Sequence, residues 1–199
     1  MTEDEFLKIG IVGETEWERT SDSWKALRPK KNFNEIDLSD ESVAEYCARV
    51  ADIIKIPHEV AEQWLYNLYS CGNTIDNYGW IDFRNAEFES TTLKSADVLR
   101  LRVIETFQSY VEEAKFYTNI ESLPCIPKDK ECWDEFGTWR TPPIVIDVGS
   151  FPKPPKYSDM RGVLQLVEGH SRLGYFKTLI KNGVSMSREH KIYLLRGIK

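Results

Sequence analysis

The chain has 199 residues, 41% of them apolar and 29% charged, with a net charge of −6 and a pI of about 5.2. This is the make-up of an ordinary globular protein able to bury a core without disulfides or metal, and its acidity removes the general attraction that makes unspecific nucleic-acid binding easy. No apolar run approaches the ~20 residues that span a bilayer, the first residues lack the basic and apolar regions of a signal peptide, and four cysteines without a Cys-x-x-Cys pair give no zinc set, so we expect a cytoplasmic protein with reduced thiols and no membrane contact.

Residues 8–13 (Lys-Ile-Gly-Ile-Val-Gly) form a short strand candidate weakened by its two glycines. Trp24 to Lys31 is a basic stretch beside an aromatic side chain; a solvated loop outweighs a phosphate-backbone contact there. The first clear helix is expected from Ser39, with Asp40 and Glu41 suiting the positive end of its dipole. Val43, Tyr46, Cys47, Val50, Ile53 and Ile54 then recur at helical spacing, ending before Pro57. Pro57 suits the start of a second helix running to about Ser70, with Val60, Trp64, Leu65 and Leu68 inward and His58 exposed. Trp80 to Phe83 is a strand candidate. A long helix is expected from a cap at Ser95 to about Tyr117, its wide apolar sector implying packing on two sides. Pro124 and Pro127 mark a loop near Cys125 and Cys132.

From Pro142 the character changes. Ile144 to Asp147 is a β-branched run and Val163 to Val167 a second strand. Between them lies a proline-rich loop, long enough to serve as a lid or docking element. Arg172 to Asn182 reads as a helix with Leu173, Phe176, Leu179 and Ile180 inward, stopped at Asn182-Gly183, and Lys191 to Leu195 is the last strand.

Strand, glycine and helix start meet at Glu168-Gly169-His170-Ser171-Arg172. Such a junction offers unpaired backbone N–H groups and the positive end of a dipole, which together hold anions. Gly169 leaves the backbone approachable, and Ser171 can cap the helix or donate to a phosphate oxygen. Arg172 stands where a cation opposes the dipole unless something negative lies beside it, and its fork can clamp a phosphate. The plainer reading is that Arg172 pairs with Glu168, Asp147 or Asp159 and only holds the turn together. His170 is a general acid–base candidate, or else a structural hydrogen bonder. Glu168 could act as base, as magnesium ligand with Asp147, or as the partner of Arg172. Lys153, Lys156 and Arg161, in the long loop, could close over an anionic ligand or equally be ordinary solubilising charges.

Pro142-Pro-Ile-Val-Ile-Asp147, a variable loop, Leu166-Val-Glu-Gly-His-Ser-Arg-Leu173, a helix and a final strand resemble the ParB/sulfiredoxin superfamily, a nucleotide-binding fold whose helix starts with a Gly-x-x-Arg turn. The resemblance covers about 60 residues and maps that turn onto Gly169, His170, Ser171 and Arg172. It departs from sulfiredoxins, which carry a cysteine where this chain has His170. It also departs from the partition proteins, whose turn reads Gly-Glu-Arg-Arg and precedes a helix-turn-helix domain. It is nearest to the Asp-Gly-His-His-Arg turn of ParB-like kinases acting on free serine, with Ser171 replacing the second histidine.

The expected class is therefore α+β: a mainly helical region, residues 1–140, packed on a ParB/sulfiredoxin-like mixed-sheet module, residues 141–199. The function expected is binding of a nucleotide (ATP, ADP or CTP) with Mg²⁺, extending to phosphoryl transfer or NTP hydrolysis. Two alternatives stand beside it. One is a non-catalytic module that binds a protein partner through its helices or the Pro152–Pro155 loop. The weaker one is a DNA-acting protein using Trp24 to Lys31 and the loop from Lys153 to Arg161.

Overall fold

The computed structural model describes residues 18–30 and 41–198, and the structural statements that follow concern these. The strand candidate at residues 8–13 and the cap expected at Ser39 lie outside them. Helices and a four-stranded sheet make the protein α+β. The chain divides into two units, one of residues 1–88, 153–159 and 197–199, the other of residues 89–152 and 160–196. Residues 89–140, grouped by their sequence with the helical N-terminal region, thus belong with the strands that follow them.

The first unit is organised by aromatic side chains. Helix α1 (Asp22–Ala26) starts where the Ser21 hydroxyl accepts from the Trp24 N–H, 3.0 Å away. That cap delivers Trp24 into the core, where it stacks on Tyr69 with ring centres 5.0 Å apart and meets Trp64 edge-on. Trp24 is fully buried, which removes it as a stacking platform for nucleic acid. Helix α2 (Val43–Ile53) is closed by a capping box between Ser42 and Glu45, and it buries Tyr46, Cys47 and Val50. Helix α3 (His58–Val60) runs on as a π-helix (Ala61–Tyr66) that buries Trp64 and Leu65, while His58 stays exposed as its sequence suggests. Helix α4 (Gly72–Tyr78) presents Asn77, whose side-chain oxygen accepts from the Asp159 N–H at 2.8 Å and so anchors one end of the segment 153–159. Trp80 to Phe83 forms no strand: Ile81 and Phe83 are buried, and a 3-10 turn (Phe83–Asn85) follows.

Strand β1 (Ala86–Lys94) begins in the first unit and continues into the second. The second unit then carries α5 (Ser95–Val98), α6 (Gln108–Glu112), α7 (Pro127–Phe136), β2 (Ile144–Asp147), β3 (Leu164–Glu168), α8 (His170–Lys181) and β4 (Glu189–Gly197). The sheet order is β1-β4-β2-β3, with β2 antiparallel to β3 and parallel to β4. Ile144, Val145 and Ile146 are buried in succession, as an unbroken apolar run in a central strand should be. Helix α8 buries Leu173, Phe176 and Leu179 in a core with Trp133, Trp139, Val145, Leu166 and Ile192. It ends at Asn182-Gly183, where Gly183 takes a φ of 79° and the Val184 N–H returns to the Leu179 carbonyl.

The long helix expected over residues 95–117 is not formed. One helical turn, α5, gives way to an extended stretch in which Leu101 and Val103 are buried. Between them the Arg102 N–H donates to Leu164 O and the Leu166 N–H to Arg102 O, at 3.2 and 2.8 Å, so this stretch lines the free edge of β3. The loop expected around Pro127 is instead α7, which has that proline in its first turn and Gly137 in the left-handed region at its end.

Candidate functional site

Three ionisable side chains meet where β3 turns into α8. Gly169 makes the turn with a φ of 103°, and a Cβ there would stand 2.6 Å from the Pro143 Cβ. The position is restricted to glycine twice over, by backbone conformation and by the approach of the chain before β2. Helix α8 starts at His170, so Gly169 is its cap residue and no side chain caps it. Ser171 lies inside the first turn, exposed, and does not serve as the cap.

Arg172 turns back toward the chain before β2. Its Nη1 donates to the Thr141 carbonyl at 2.7 Å, and its Nη2 lies 3.6 Å from the Glu168 carboxylate. Of the partners open to it from sequence, Glu168 is the one this geometry supplies. Nothing in the sequence places Thr141 and Pro143, which hold the turn from behind, beside Arg172 and Gly169. They come into play only because β2 pairs Ile144 with Glu168.

His170 is buried, its ring centre 4.7 Å from that of Phe107, and its Nδ1 lies 4.0 Å from Glu168. Its Nε2 has no hydrogen-bond partner among the described residues. Burial, with the Arg172 charge adding to it, pulls the imidazole down to a pKa of about 4, so it is neutral at pH 7. Burial also pushes Glu168 up, against the pull of Arg172 and of the Gly169 N–H, and draws Arg172 down against Glu168. Each of the three is thus displaced toward its uncharged form, and perturbed groups gathered in this way mark a candidate functional site.

The other expected site residues lie elsewhere. Asp147 pairs with Leu164, three steps along β2 from the Ile144–Glu168 pair, which sets it about 10 Å from Glu168 along the sheet. Its Oδ1 accepts from the Gly149 N–H at 3.1 Å and closes the turn after β2. In this register Asp147 and Glu168, expected as magnesium ligands, stand at opposite ends of the β2–β3 pairing, and among the described residues no group of three or more His, Cys, Asp or Glu side chains could hold a metal. Arg161 is exposed, its backbone N–H on the Gln165 side chain at 3.2 Å, and Lys156 is an exposed residue of the first unit.

A second buried histidine imitates catalytic geometry without offering it. His190 Nε2 lies 3.0 Å from the Ser95 hydroxyl and Nδ1 lies 2.8 Å from that of Thr138. The Ser95 proton goes to the Ser187 carbonyl at 2.6 Å, so Ser95 accepts from Nε2–H and Thr138 donates to Nδ1. With both ring nitrogens and both hydroxyl protons engaged, this network fixes α5 to β4.

Comparison with family models, with curated proteins and with solved structures gives no match for the chain.

Proposed function

We propose that the second unit binds the phosphate of a nucleotide at the 168–172 turn, on a module of ParB/sulfiredoxin-like descent. The observation that carries this reading is the buried His170 Nε2, which lacks a partner beside the first turn of α8. A buried polar atom left so costs about 1–3 kcal/mol, which a bound ligand would return. In this reading the phosphate rests on the N–H groups of the first turn and draws Arg172 Nη2 away from Glu168. The 3.6 Å separation of that pair is longer than a hydrogen bond. Mg²⁺, carried in with the nucleotide, would be met by Glu168 without Asp147.

Phosphoryl transfer or NTP hydrolysis asks more of the same residues. An imidazole of pKa about 4 is a weak base, and only a dianion bound beside it would lift it toward the range useful in catalysis. Binding is therefore the core of the proposal, and turnover its extension. One observation favours the alternative of a non-catalytic interaction module: Arg172 is already engaged by Thr141 and Glu168.

Calorimetric titration of ATP, ADP, CTP and GTP separates the two. Without Mg²⁺, Glu168→Gln removes a carboxylate that competes for Arg172 and repels the ligand, so nucleotide should bind about tenfold tighter, a difference of about 1.4 kcal/mol. Absence of binding to both the parent and Glu168→Gln, with and without Mg²⁺, would leave the interaction module as the better reading.

A further inference from the structure

Within the second unit an open cleft of about 550 Å³ lies between α8 and the segment that starts at α6, and none of its lining residues belongs to the 168–172 turn. Gly174 brings the two segments together: a Cβ there would stand 2.6 Å from the Val111 carbonyl. Three and four positions on, Lys177 and Thr178 border the cleft. Its apolar wall is Leu101, Val103 and Val111. Lys177 is half-buried, its ammonium makes no hydrogen bond or ion pair among the described residues, and it is drawn below the ordinary lysine range by burial. Lys115 adds a second cation, against the single carboxylate of Glu112, while the Arg102 guanidinium, also of the lining, donates to Gln165 Oε1 at 2.7 Å. A partly desolvated ammonium that makes no ion pair is unfavourable, and a cleft of this size, part apolar and part cationic, suits a small amphiphile.

We infer that this cleft binds an aliphatic carboxylate, its headgroup on Lys177 and its chain against Leu101, Val103 and Val111. The site is separate from the nucleotide turn and uses none of its residues. The test follows backbone amide shifts of the full-length protein by NMR during titration with decanoate below its micelle-forming concentration. Decanol, which keeps the chain without the charge, and inorganic phosphate, which keeps a charge without the chain, are the comparisons. Decanoate should saturate shifts at Val111, Lys115 and Lys177, with decanol and phosphate at least about tenfold weaker. Lys177→Met keeps the stem and removes the charge. It should weaken decanoate about tenfold while leaving the melting temperature unchanged or higher, because an unpaired desolvated charge is lost. The inference is overturned if decanoate does not saturate these shifts, if Lys177→Met binds it equally well, or if phosphate matches it. Since Glu168→Gln leaves the cleft untouched, failure here and failure of the nucleotide titration are read separately.

Discussion

A side chain at position 169 would meet two obstacles at once, a φ of 103° and the Pro143 Cβ 2.6 Å away. Gly169→Ala should therefore lower stability by about 2–4 kcal/mol, seen as a fall in the urea midpoint; an unchanged midpoint would contradict this account of the turn. His170 makes a prediction in pH. Its folded pKa of about 4 lies below the unfolded value of about 6.5, so between the two the unfolded chain takes up a proton that the folded chain refuses. The contribution is whole above pH 6.5 and falls by about 3 kcal/mol by pH 4. Glu168 works in the opposite sense: the folded state takes its proton at a higher pH than the unfolded chain does, so its contribution grows as the pH falls through that raised value. His170→Phe removes the histidine's part alone. The stability difference between parent and variant should shrink by about 3 kcal/mol from pH 7 to pH 4, and a constant difference in urea titrations would contradict it.

At the scale of elements, α8 and the segment starting at α6 are held together by the absence of a side chain at Gly174. Alanine is the better helix former by about 1 kcal/mol, yet a methyl group here would press on the Val111 carbonyl and on the Ala114 Cβ, 2.6 and 2.8 Å away. Gly174→Ala is expected to destabilise by about 1–2 kcal/mol net; a stabilised variant in thermal unfolding would show that this contact yields easily. The same elements show what a sequence discloses. β2, β3, β4 and α8 were legible because each carries its own signal: β-branched runs, a glycine turn, and the Asn182-Gly183 stop. The stretch 95–117 misled because Leu101 and Val103 alternate about Arg102 in response to the edge of β3, a partner 60 residues away in the chain that local periodicity cannot register. The turn at Gly169 could be read locally. That Arg172 faces Thr141, and that Asp147 stands at the far end of the hairpin from Glu168, depends on strand register, which no spacing in the sequence encodes.

At the scale of the whole molecule, the chain passes from the first unit to the second along β1 and returns for residues 153–159, so Pro154, Pro155 and Lys156 belong to the first unit while Pro152, Arg161 and the Glu168 turn belong to the second. Among the described residues no helix is long and apolar enough to cross a membrane. His170 reports on the buried ionisable cluster of the second unit from within. The most direct measurement is the imidazole ¹⁵N spectrum of His170 as a function of pH, with and without saturating ATP and Mg²⁺. A phosphate beside Nε2 should raise the proton affinity of His170 at least about tenfold above that set by its free pKa of about 4. Titration curves that coincide with and without nucleotide would contradict the proposal.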